Sequence, residues 1–87
     1  MHNIVYEKRV FKDLDKISNP DLGRIRDLFK ELSFNPYPIG TKKLSGKEGL
    51  YRVKQGDYRI VYTIDHKEKE IKITLVAHRR EAYRQLK

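Results

Sequence analysis

An α+β fold, with two helices packed on one face of a mainly antiparallel sheet, follows from three features of this 87-residue sequence. Apolar residues recur at helical spacing from Val10 to Leu32, the period changes to two from Leu50, and a stretch rich in proline and glycine separates the two regimes. The length allows one domain, residues 1–87.

Each element has a local reason. Residues 2–6 (HNIVY) form a short apolar run suited to a strand. Over residues 7–17, Val10, Phe11, Leu14 and Ile17 share one helical face and charges occupy the other. Ser18-Asn19-Pro20-Asp21 predicts a fresh helix start, with Asn19 as cap, Pro20 in the first helical position and Asp21 complementing the helix dipole. Leu22, Ile25, Leu28, Phe29 and Leu32 continue the stripe to about Phe34, where Asn35-Pro36 ends it, giving an antiparallel helical pair. Residues 35–49, with two prolines and three glycines, predict a loop running into sheet. LYRVK, a turn at Gln55-Gly56 and DYRIVYTID predict a hairpin, and EIKITLVAH a further strand after the polar turn at Asp65–Glu68. The ending RREAYRQLK is compatible with a short helix or a tail.

Composition narrows the function. Lys and Arg number 20 against 12 acidic residues, a net charge of +8, and the isoelectric point is near 9.8. Such an excess favours nucleic acid, an anionic surface or an acidic protein partner. The excess is segregated: residues 1–41 carry seven basic and six acidic side chains, whereas residues 42–59 carry six basic and two acidic. A second basic block closes the sequence at residues 78–87. The absence of cysteine removes disulfides and thiolate chemistry and fits a reducing cytoplasm. MHNIVYEKRV lacks the apolar run of a signal peptide, and no stretch is long enough to span a membrane, so a soluble cytoplasmic protein is expected.

Alternation assigns side chains to faces. Tyr51 and Val53, with Tyr58, Ile60, Tyr62 and Ile64, are expected under the helices; Arg52, Lys54 and Arg59 then share the open face. Unbroken alternation in the last strand sets Ile71, Ile73, Leu75 and Ala77 against Lys72, Thr74, Val76 and His78, bringing His78 to the open face with Arg79 after it. Like charges on neighbouring strands repel. Their convergence is explained by a phosphate between them, which arginine meets with a planar fork and lysine with a mobile point charge. The plain alternative is a solvated basic surface. Lys42, Lys43, Lys47, Arg80 and Arg84 flank the cluster as candidate RNA-backbone contacts.

For proton transfer the candidates are His78, Tyr83 and Lys54, the last because lysine, unlike arginine, can surrender its proton. No paired carboxylates or histidine clusters stand at ligand spacing, and Gly46, Gly49 and Gly56 punctuate turns rather than cradle phosphate. The chemistry expected is therefore free of metal and cofactor. It suits RNA, whose 2′-hydroxyl is an internal nucleophile for the adjacent phosphorus.

Four segments carry a family likeness. Lys43-Leu44-Ser45-Gly46, Leu50-Tyr51-Arg52-Val53-Lys54, Gly56-Asp57-Tyr58-Arg59-Ile60-Val61-Tyr62 and Val76-Ala77-His78-Arg79-Arg80-Glu81-Ala82-Tyr83, in this order, resemble the RelE branch of the RelE/ParE toxin superfamily over essentially the whole chain. The resemblance implies a RelE-like microbial ribonuclease fold and a type II toxin that cleaves mRNA in the ribosomal A site. It also implies an acidic, RelB-like antitoxin that holds the toxin inactive. Arg52 and Lys54 match the family's pair of basic strand residues, Arg59 its arginine after Gly-x-Tyr, and Arg79 and Tyr83 its C-terminal motif. These positions imply phosphate binding and polarisation, with the tyrosine near the nucleotide base. Some relatives carry lysine where this chain has Arg52, which leaves Lys54 the better base. Two other readings are a ParE-like DNA gyrase inhibitor of the same fold and a non-catalytic RNA- or protein-binding module.

Overall fold

Seven elements follow one another in the computed structural model, which describes residues 1–44 and 49–81. They are β1 (Asn3–Tyr6), α1 (Lys8–Asp15), α2 (Asp21–Phe34), β2 (Lys42–Lys43), β3 (Leu50–Gln55), β4 (Tyr58–Asp65) and β5 (Glu70–His78). The five strands form one sheet in the order β1-β5-β4-β3-β2. β1 runs parallel to β5 and every other neighbouring pair is antiparallel. The mixed sheet under a helical pair is the fold class expected; β2, two lysines within the proline- and glycine-rich stretch, is an addition.

The helices meet the sheet through the stripe their spacing predicts. Val10 of α1 and Ile25, Leu28, Phe29 and Leu32 of α2 are buried against Val53, Ile60, Tyr62, Ile71, Ile73 and Val76. Tyr62 is the largest side chain fully enclosed. Its hydroxyl donates to the Pro36 carbonyl at 2.7 Å, so a buried polar group ties the loop after α2 to the sheet. Burial raises the phenol's pKa, which keeps it a neutral donor.

The start of α2 differs from expectation. Pro20 occupies the N-cap position and no side chain caps the helix. Backbone carbonyls take that part: Ser18 accepts the Leu22 N–H at 3.1 Å and Pro20 accepts the Arg24 N–H at 3.2 Å. The Leu22 N–H, which an Asn19 cap would have served, is thereby taken by the Ser18 carbonyl.

A second difference decides the faces of β5. Val61 pairs with Leu75 and Tyr62 with Ile73, leaving Thr74 without an opposite residue. This is a β-bulge, and the Thr74 hydroxyl donates back to the Val61 carbonyl at 3.1 Å. The extra residue shifts the alternation. Ile71 and Ile73 face the helices before it and Val76 does after it, whereas Leu75 and Ala77 turn to the open face beside Val61. The Asp13 carboxylate then accepts the Val76 N–H at 3.2 Å, tying α1 to β5 beyond the reach of β1.

Candidate functional site

Register builds the open face row by row. In one row Lys42 pairs with Arg52, Arg52 with Val61, and Val61 with Leu75. In the next, Lys54 pairs with Arg59 and Arg59 with Ala77. Directly paired residues have Cβ atoms roughly 5 Å apart, so four cations from three adjacent strands stand within side-chain reach of one another. Arg52, Lys54 and Arg59 share one face, as alternation predicts. Among the described residues, none of the four is in an ion pair with a carboxylate.

The cations stand around an apolar floor. Val61, Leu75 and Ala77 are only 3%, 6% and 3% exposed, with Leu44 and Leu50 packed against them. Alternation predicted Val61 here but not Leu75 or Ala77, because the bulge delivers them. An apolar floor removes water from beneath the cations, which strengthens their attraction for an anion.

Arg59 is held by main chain rather than by an acid. Its Nη1 donates to the Gly56 carbonyl at 3.3 Å and to the Tyr58 carbonyl at 3.2 Å. Carbonyls orient the guanidinium without cancelling its charge. Arg79 begins a helical turn at the end of β5, and its own N–H donates to the Asp57 carbonyl at 2.7 Å.

Other candidates fall elsewhere. His78 is not on the open face: it pairs with Tyr58, and the two rings meet edge to face at 5.7 Å. It lines a recess of about 160 Å³ with Asp13, Lys16 and Ile17 on the helix side. The bulge is the cause of this correction, since one added residue sends every later side chain to the opposite face. Lys43 pairs with Tyr51, whose ring packs on the helix side, so it departs from the row that Lys42 joins. Arg80 is exposed, its N–H directed to His78 Nδ1 at 3.4 Å. Lys47, Tyr83 and Arg84 lie outside the described residues. Lys72 adds an exposed cation that charge counting passed over: it pairs with Thr63, which pairs with Leu50 of the apolar floor.

This architecture and charge pattern have counterparts. Residues 4–83 match the family model described as the ParE toxin of the type II toxin-antitoxin system parDE. The protein named RelE1 of Methanocaldococcus jannaschii is 32% identical over 85 residues, covering 94% of each chain. The chain belongs to the RelE branch of the RelE/ParE toxins. RelE in the crystal structure of the RelE–RelB complex from Pyrococcus horikoshii superposes with a TM-score of 0.81 at 30% identity, covering 90% of this chain and 94% of that one. The isolated RelE toxin of Escherichia coli shares the fold over the full length of both chains, with a TM-score of 0.78 at 18% identity. Within this RelE-branch toxin the cationic row thus lies on β2, β3 and β4, and no helix among the described residues is long and apolar enough to cross a membrane.

Proposed function

We propose that this RelE-branch toxin is a metal-independent endoribonuclease that cuts mRNA in the ribosomal A site. The observation that carries the reading is the row Lys42, Arg52, Lys54 and Arg59 on the sheet face opposite the helices, unneutralised by acids among the described residues. Like charges held this close cost stability, and an anion between them offsets that cost.

In this reading the scissile phosphate sits over the row. The 2′-hydroxyl oxygen bonds to the adjacent phosphorus as the bond from phosphorus to the 5′-oxygen breaks. This leaves a 2′,3′-cyclic phosphate and, once the departing oxygen takes a proton from water, a free 5′-hydroxyl. Arg52, Arg59 and Arg79 stabilise the charge that grows on the phosphoryl oxygens. Lys54, opposite Arg59, takes the proton of the nucleophile. Tyr83 packs by the nucleotide base. His78, on the covered face, takes no part in the step.

The same positive face suits an acidic antitoxin segment that orders on binding. The Pyrococcus relative was solved in complex with RelB, which supports a protein antitoxin for this chain too. The match to the ParE model favours a second reading, inhibition of DNA gyrase by the same fold.

Inducing Arg59→Ala and Arg79→Ala variants in a bacterial host tests the site. Both are expected to abolish growth inhibition while the purified proteins keep the wild-type circular dichroism; toxicity retained by both overturns the assignment. Mapping transcripts after wild-type induction separates the two readings. Messages cut within codons support the nuclease, and intact messages with damaged DNA support the gyrase inhibitor.

A further inference from the structure

The turn between β3 and β4 does more than reverse the chain. Gln55 pairs with Tyr58, so Gly56 and Asp57 are its only two central residues. Gly56 has φ +59° and Asp57 is not among the residues with positive φ, the combination that defines a type II′ turn. A Cβ on Gly56 would meet nothing within 4 Å, so the glycine serves backbone conformation and not space.

One carbonyl of this turn meets an arginine side chain of the proposed site and the other meets the main chain of a second arginine. The Gly56 carbonyl accepts from Arg59 Nη1, and the Asp57 carbonyl accepts the Arg79 N–H. The two arginines come from strands β4 and the end of β5, and these bonds give them a common reference. The neutral Gly56 carbonyl, with that of Tyr58, orients the Arg59 guanidinium and leaves its charge available to a phosphate, while the Asp57 carbonyl fixes the backbone from which the Arg79 side chain departs.

We infer that Gly56 and Asp57 form a positioning element that sets Arg59 and Arg79 against the scissile phosphate through their main-chain carbonyls. The inference rests on the proposed nuclease reading for its functional consequence, but its structural half stands apart. A merely structural turn would need only to close the hairpin. A positioning turn needs the peptide between residues 56 and 57 in one orientation.

Type I′ and type II′ turns distinguish these roles, because they differ by turning that peptide over. The double variant Gly56→Asn with Asp57→Gly supplies the Asn-Gly pair that favours type I′ and keeps a two-residue hairpin. It is compared with wild-type on ribosomes programmed with a defined mRNA. The expected result is an unchanged urea midpoint, a KM within about twofold and a kcat lowered about tenfold or more, the signature of misplaced transition-state groups. Nitrogen relaxation of the Arg59 side chain gives a readout independent of activity: ordered in wild-type, mobile in the variant. A stable variant with wild-type kcat overturns the inference, as does an Arg59 side chain equally ordered in both. If the variant loses the hairpin, Gly56→Ala replaces it, judged by the same side-chain relaxation. A wild-type protein that cuts no message overturns the nuclease reading instead, while the relaxation comparison still decides whether the turn holds Arg59.

Discussion

Arg59 and Ile60 are adjacent in sequence, yet they belong to surfaces built for opposite purposes. Ile60 is fully buried between sheet and helices, in a layer whose members are nearly all apolar. Arg59 stands on the face away from the helices, directly opposite Lys54, with Arg52 two residues away along β3. One face gains stability from every methylene it buries. The other holds repelling charges over a small apolar floor, an arrangement that packing alone does not favour. A strand shared by the two faces lets the protein place costly groups accurately while the covered side supplies the rigidity.

Substitutions on either side of the sheet should therefore separate stability from activity. The largest stability effect is expected from Ile60→Ala, which leaves a cavity in the covered layer and should cost about 2–5 kcal/mol. That is a large part of the stability of a small domain, typically about 5–15 kcal/mol. Urea unfolding followed by circular dichroism measures it; a loss below about 1 kcal/mol would mean the helices are not packed on this residue as described.

Arg59→Ala should behave in the opposite sense. Removing one of two directly opposed cations relieves repulsion worth about 0.2–1 kcal/mol, so the urea midpoint should hold or rise slightly even as toxicity disappears. A midpoint lowered by as much as that of Ile60→Ala would erase the distinction between the faces.

The smallest effect lies at the head of β1. His2 Nε2 is buried without a hydrogen-bond partner, and its ring lies 5.6 Å from that of His66. Burial first, then the positive charges of His66, the N-terminal amine and Lys69, hold its pKa below the ordinary 6.5. The folded chain then binds fewer protons there than the unfolded one. Stability from this site is complete above pH 6.5 and is lost as the pH falls through the folded value. Denaturation between about pH 7 and about pH 5 should show a shallower acid loss for His2→Gln than for wild-type, and identical slopes would remove His2 from the account.

Much of this division was legible in the amino-acid order. In β3 and β4 one parity is apolar or aromatic apart from Gln55 at the turn, and the other carries every basic residue. Tyr51, Val53, Ile60 and Tyr62 are therefore assigned to the core and Arg52, Lys54 and Arg59 to the open face, where Leu50 and Val61 are the apolar exceptions. In β5 the run Ile73-Thr74-Leu75-Val76-Ala77 is mostly apolar on both parities, and nothing in it marks an added residue. His78 was misplaced for that reason alone. Asn19 has the right chemistry for a cap, but the Ser18 carbonyl takes the Leu22 N–H that it would have served. The bonds from Gly56 to Arg59 and from Asp57 to Arg79 use only main-chain carbonyls, which every residue carries and no sequence pattern distinguishes.

The bulge at Thr74 also changes how site residues can be carried between relatives. It acts as a phase shift, so the segment before it and the segment after it obey different frames. A homologue of equal length whose last strand pairs without the bulge would keep a recognisable motif at its end and yet present it turned over. The counterpart of His78 would then lie on the face of that of Arg59, and the counterpart of Ala77 would lie beneath the helices. Matching letters in an alignment is not enough here; the frame has to match as well.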